Sequence, residues 1–163
     1  MSSSVTYRAT RITHDSVRGF AETRARFDEL VPEFDSTVSI QLVITGAGWA
    51  DVEAAVSERV GPHGLVALAR LDQGALLSLD GETLEATLYL VGNPLVARQV
   101  THFDAAGALY APFRVAIYRD AAGVHISYDQ PSSVFGSLDS PEIDAIASTL
   151  DDKILAAATT ACS

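Results

Sequence analysis

One stretch constrains the fold more than any other. From Phe113 to Arg119, and again from Val124 to Asp129, apolar and polar residues tend to alternate, and Asp120-Ala121-Ala122-Gly123 joins the two runs. Successive side chains on a strand point to opposite faces. The period of two therefore places Phe113, Val115 and Ile117 on one face and Arg114, Ala116 and Tyr118 on the other. A connection this short joins antiparallel neighbours, because a parallel crossover needs roughly a dozen residues or more. A chain with this hairpin has to build a sheet and bury one side of it.

The flanking segments extend that reading. Thr6 to Thr13 is rich in β-branched and aromatic residues and is expected to form a first strand. His14-Asp15-Ser16 then offers N-caps for a helix that Pro32 ends, with Glu22 and Arg26 as an i,i+4 pair on its wet side. Thr37 to Thr45 alternates and predicts a second strand, followed by a helix over Trp49 to Val60 that stops at Gly61-Pro62. Leu65 to Leu71 carries little charge and is expected in the interior of the sheet. Ala75 to Leu79 and Leu84 to Val91 flank Asp80-Gly81, a pair suited to the positive φ angles of a tight hairpin. Gly92-Asn93-Pro94 breaks the sheet before one or two short helices over Leu95 to Leu109. Pro131-Ser132-Ser133 ends the last strand.

Ser140-Pro141-Glu142 combines an N-cap residue, a proline at the first helical position and an acid in the first turn. Ile143, Ile146, Ala147, Leu150, Ile154 and Ala157/Ala158 then trace one apolar stripe. Hairpins at regular spacing, with helices grouped toward the two ends, specify a single α+β domain over residues 1–163. Its sheet is mostly antiparallel with helices packed on one face, leaving the other to solvent or to a second subunit. Tyr89, Tyr110, Tyr118 and Tyr128 are the candidates for that free surface.

Charge narrows the partners. Eleven Lys and Arg stand against 21 Asp and Glu, a net charge of −10. Such a field repels phosphate backbones and anionic lipid surfaces, so neither nucleic acid nor a membrane is an expected partner. No apolar run approaches the roughly 20 residues of a membrane span. The opening Met1-Ser2-Ser3-Ser4-Val5 lacks the pattern of a secretory leader, and a cytoplasmic location is the expectation. Cys162, the single cysteine, has no thiol partner for a disulfide or a metal.

Three chemistries can be weighed from motifs. Gly46-Ala47-Gly48 between an expected strand and helix, with Asp72 further on, imitates part of a dinucleotide-binding unit. Asp51 stands where a third glycine belongs, and its charge opposes phosphate, so a simple turn is the better reading. His14, His63, His102 and His125 are not spaced with other ligand types to make a metal site, and none is expected. Ser132 or Ser133 with His102 or His125 and Asp129 lacks a nucleophile elbow. What remains is a group of polar residues at strand ends: Asp72, Gln73, Asn93, Arg98, Arg114, Tyr128, Asp129 and Ser132. They either satisfy one another where loops converge or line a pocket for a small polar or aromatic ligand.

Several of these residues also carry a family resemblance. Gly64-Leu65-Val66-Ala67-Leu68-Ala69-Arg70-Leu71-Asp72-Gln73-Gly74-Ala75, Leu90-Val91-Gly92-Asn93-Pro94-Leu95-Val96-Ala97 and Leu109-Tyr110-Ala111-Pro112-Phe113-Arg114-Val115 come first. Ile126-Ser127-Tyr128-Asp129-Gln130-Pro131-Ser132-Ser133 and the helix around Leu150-Asp151-Asp152-Lys153 follow. In order and spacing they resemble the domain of unknown function 302 family over about Gly64 to Thr160. The resemblance implies a TATA-binding-protein-like α+β fold and a homodimer. The family has no settled activity, and the resemblance does not imply DNA binding, which the net charge of −10 argues against. Many members carry His after the Asp of the first motif; this chain has Gln73, which cannot titrate near neutral pH.

The preferred expectation is a homodimeric module that binds a small molecule or a protein partner without catalysis and without a cofactor. The alternative is a small cofactor-independent enzyme of the isomerase or cyclase type, with Asp72, Arg114 and Tyr128 in acid–base or orienting roles.

Overall fold

The hairpin becomes the middle of the sheet. The computed structural model describes residues 2–163. It contains strands β1 (Arg11–Ser16), β2 (Val66–Asp72), β3 (Ala86–Gly92), β4 (Phe113–Arg119) and β5 (Val124–Asp129). The helices are α1 (Phe20–Leu30), α2 (Ser36–Thr45), α3 (Trp49–Ser57), α4 (Gln73–Leu77), α5 (Pro94–Phe103), α6 (Pro131–Phe135) and α7 (Pro141–Cys162). The five strands run in the order β1-β5-β4-β3-β2, each antiparallel to its neighbours.

Alternation decides which face is buried. Phe113, Val115 and Ile117 of β4 are buried, as are Tyr89 and Val91 of β3 and Val124, Ile126 and Tyr128 of β5. Helices α1 and α7 lie on this face, bringing Phe27 and Leu30 from α1 and Ile143, Leu150 and Ile154 from α7 into the same core. Burying each such large apolar side chain contributes about 1.5–3 kcal/mol. The stripe read from α7 is the stripe that packs, and Ser140 caps the helix by accepting from the Ile143 N–H. Within this core Tyr89 stacks edge-to-face on Phe27 and donates to Asp28 Oδ1 at 2.9 Å. The α+β class with an antiparallel sheet and helices on one face is the observed architecture.

Several expectations are corrected. Residues 37–45 are helix, not strand: α2 has Asp35 as N-cap, accepting from the Thr37 N–H, and Gly46 in the left-handed region as its C-terminal stop. Residues 75–79 are also helical; α4 and a 3-10 turn over Ser78–Asp80 replace a strand, so no hairpin forms about Asp80-Gly81. Gly74 explains part of this. A Cβ there would lie 2.2 Å from the Leu84 carbonyl oxygen, a backbone approach that a side chain would block.

Strand β2 is an edge of the sheet, not its interior. Its low charge has another cause. Val66 and Ala67 are covered because the Pro32–Phe34 segment bonds to its outer edge, Ala67 N–H to Pro32 and Phe34 N–H to Ala67. A bulge between Ala67 and Ala69 follows, and Leu68 joins a second, smaller cluster around Phe34, Val56 and Val66.

At the start of the chain, β1 begins at Arg11 and extends through His14, Asp15 and Ser16, which are strand residues, and Gly19 takes the N-cap of α1. The α1 ion pairs are Arg18–Glu22 and Arg26–Glu29 instead of Glu22–Arg26. Of the four tyrosines assigned to the free surface, Tyr89 and Tyr128 are buried on the helical side and Tyr118 lies on the open face.

A candidate ligand groove at one end of the sheet

Register builds the open face in rows. Arg11 of β1 stands opposite Asp129 of β5, and Arg114 of β4 opposite Leu90 of β3. Arg114 is adjacent to Asp129 because Val115 pairs with Tyr128. The result is a cross-strand row, Arg11–Asp129–Arg114–Leu90, polar toward β1 and apolar toward β3. Asp129 lies 3.5 Å from Arg11 and 3.9 Å from Arg114. Both arginine side chains are more than 70% exposed, at 73% and 72%. Pairs this long and wet are worth about 0–1 kcal/mol each, so they leave the guanidinium groups available to another anion.

This row borders a half-open groove of about 540 Å³, inside the range of about 300–1,000 Å³ typical of small-molecule sites. Its floor is apolar, from Leu90, Pro112 and Phe113, and Arg114 and Asp129 stand on its rim. Tyr110 forms one wall and Tyr7 another. Tyr110 is held in place: its ring packs edge-to-face on Phe135, and its hydroxyl accepts from Ser137 at 2.9 Å. Tyr7 belongs to the exposed N-terminal segment, which is tied down at Thr10. There the Thr10 carbonyl accepts from the Gln130 N–H at 2.7 Å, and the Thr10 N–H donates to Ser133 Oγ at 2.8 Å. The two tyrosine rings meet at 78° with centroids 6.1 Å apart.

The other polar residues singled out in the sequence are distributed elsewhere. Asp72 ends β2 at the opposite end of the sheet from Arg114, accepts from the Ala75 N–H and lies 4.0 Å from Arg24. Gln73 follows it, exposed, as the first residue of α4. Asn93 caps α5, accepting from the Leu95 N–H, and its amide donates to the Gly64 carbonyl. Arg98 lines a separate groove between α3 and α5 with Trp49 and His102. Tyr128 faces the helices beside His14, its hydroxyl 3.3 Å from Nε2. Burial, then the nearby Asp151 charge, raises its phenol to about 12. Ser132 donates its backbone N–H to Asp151. Of the eight, the structure brings Arg114 and Asp129 together at the groove. Asp72, Arg114 and Tyr128 do not converge.

The motif chemistries can be placed as well. Ser133 Oγ is occupied, donating to the Gln130 carbonyl while accepting from Thr10. His125 lies at the far end of β5 from Asp129, clamped between Asp15 and Asp120. Gly46-Ala47-Gly48 links two helices, so no strand precedes it as a dinucleotide site requires. Among the described residues, no group of three or more His, Cys, Asp or Glu is placed to hold a metal ion. Nor is any helix among them long and apolar enough to cross a membrane.

Sequence reasoning did not assign Tyr7, Leu90, Pro112 or Phe113 to the groove. Tyr-Ala-Pro-Phe-Arg at residues 110–114 carried a usable signal, since an aromatic pair around a proline directly precedes an exposed arginine. Tyr7 carried none, because its position depends on a contact across more than 100 residues of chain, from Tyr7 to Tyr110.

Fold and site together define a small α+β domain: a five-stranded antiparallel sheet, backed by helices, with a mixed polar and apolar groove at the end of the sheet where Arg114 and Asp129 stand. Residues 40–161 match the family model described as domain of unknown function DUF302, and the chain belongs to that family. A crystal structure of an uncharacterized conserved DUF302 protein from Bacillus stearothermophilus superposes on 94% of this chain and 98% of its own, with a TM-score of 0.66 and 17% identity. At that identity the likeness speaks for the fold. No curated protein matches the chain.

Proposed function

We propose that this protein is a homodimeric binding module that holds a small molecule in the groove without transforming it. The observation that carries the reading is the groove itself: an apolar floor, two aromatic walls and one weakly paired arginine, in a volume that suits a small ligand. Few polar groups on an apolar bed orient a ligand, which is the usual composition of a recognition site. Its charged groups are paired with each other and stand at the open rim, an arrangement suited to docking.

The dimer rests on a different surface. From the end of β2 through the helical connection to β3 the chain exposes Leu71, Leu76, Leu77 and Leu79, at 50%, 70%, 54% and 81%. Apolar residues concentrated in one such segment are unusual on a monomer and fit a contact between two copies.

Native mass spectrometry of the protein purified from its own host tests both parts. The expected result is a dimer carrying a co-purified small molecule. The double variant L76E/L79E is expected to yield monomer that still holds the ligand. A wild-type monomer with an empty groove overturns the proposal.

A further inference from the structure

Resting on that reading of the groove, we propose that its ligand is a small aromatic monocarboxylic acid. Its carboxylate binds Arg114 and its ring lies on the apolar floor against the touching pair of Tyr110 and Tyr7. Three observations lead there.

The first is an imbalance of charge. At the rim, Arg11 and Arg114 share the single carboxylate of Asp129, over 3.5 and 3.9 Å, and neither arginine side chain makes a hydrogen bond among the described residues. A ligand carboxylate engages the Arg114 fork through paired N–H donors, which is the strong geometry for this group. Asp129 keeps Arg11 as its partner, so the exchange leaves no charge unpaired.

The second is the walls. Tyr110 is locked by Phe135 and Ser137, and it presents an aromatic surface beside Phe113. A flat ring packs against such surfaces in offset or edge-on contact. Tyr7, 44% exposed on a segment pinned at Thr10, closes the outer side. A ring of one or two cycles fits the available 540 Å³.

The third is the whole-chain charge of −10. Its long-range field acts against every anion and more strongly as ligand charge rises, so a monoanion is favoured over a phosphate or a dicarboxylate.

The test uses the full-length protein and three probes that share a phenylpropyl frame: 3-phenylpropionate, 3-phenylpropan-1-ol and 3-phenylpropylamine. Each is titrated while the NMR resonances of the Arg114 side chain and of Phe113 are followed. The acid is expected to saturate the groove and shift Arg114, and to bind at least about tenfold tighter than the alcohol or the amine, as a charge-assisted pair implies. R114Q, at a side chain already in solvent, is expected to remove that preference with an unchanged amide spectrum elsewhere. Y7A is expected to weaken acid and alcohol alike. An alcohol or amine that binds as tightly as the acid overturns the carboxylate assignment and leaves the groove as a binding site. The same holds for R114Q binding the acid as wild type does. If none of the three binds, this inference fails. The binding-module reading then survives only where native mass spectrometry of the same preparation shows a co-purified ligand.

Discussion

At the scale of single residues, His125 shows how a polar group is stabilised on the open face. Nδ1 lies 2.8 Å from Asp15 Oδ1 and Nε2 lies 2.9 Å from Asp120 Oδ1. A neutral imidazole carries one N–H, so both contacts are hydrogen bonds only when the ring is protonated. The bond to Asp120, opposed by burial and aided by Asp15, raises the His125 pKa above 6.5. The folded value exceeds the unfolded one, so this contribution to stability is complete below about pH 6.5 and is lost as pH rises through the raised value. His14 acts in the opposite sense: burial lowers its pKa, and its contribution fades as pH falls below 6.5. Urea midpoints measured from pH 5 to 9 for wild type and H125Q isolate the first effect. The difference between them is expected to be largest on the acid side and to shrink with rising pH; a difference independent of pH contradicts the clamp. Thr87 gives a simpler case. Its hydroxyl is buried with no partner among the described residues, so T87V, which keeps the shape, is expected to stabilise the protein by about 1 kcal/mol in chemical denaturation.

At the scale of elements, local pattern and local end signals competed, and the ends won. Residues 37–45 read as a strand because β-branched and apolar residues alternate there, yet α2 buries none of its residues. Its helical state is decided at its two ends. Asp35 satisfies an amide at the start, and the Gly46 and Ala47 N–H groups bond back to Val43 and Leu42 at the finish. Those caps were visible in the sequence, whereas the lack of any sheet neighbour was not. Strand β4 and α7 were legible because each buries one face, so periodicity and packing agree, whereas β5 also buries His125 and Ser127 on its other face. The same lesson separates cap residues from site residues. Asn93 followed by Pro94 is a helix-start signature as much as a polar strand end, and the structure uses it as a cap. N93A is expected to cost about 1–3 kcal/mol in thermal or chemical unfolding, since it loses the cap and the bond to Gly64. N93D keeps an acceptor for Leu95 but has no donor for the Gly64 carbonyl, and is expected to recover part of that loss. Full recovery would mean that the Gly64 bond contributes nothing.

At the scale of the molecule, stability is unevenly distributed. The main cluster joins α1, α7 and four strands across the helical face of the sheet, whereas the second consists of three buried residues, Phe34, Val56 and Val66, with partly buried neighbours from α2, α3 and α5. An isolated helix of about ten residues is marginal in water, and α2 has only Val38 to tie it to that small cluster. Opening α2 therefore exposes little apolar surface, while opening α7 exposes Ile143, Leu150 and Ile154 and requires the whole core to part. Native-state hydrogen exchange is expected to rank the amides accordingly. Those of α2 should exchange through local opening with little dependence on denaturant, and those of β4, β5 and α7 only at the free energy of global unfolding. The groove sits with the second group. Phe113, Arg114 and Asp129 lie on β4 and β5, so the floor and charged rim of the site are expected to stay ordered while the α2 end of the chain opens and closes. Protection of α2 at the global level would show that another surface covers it. If that protection fell on dilution, the covering surface would be a second copy of the chain.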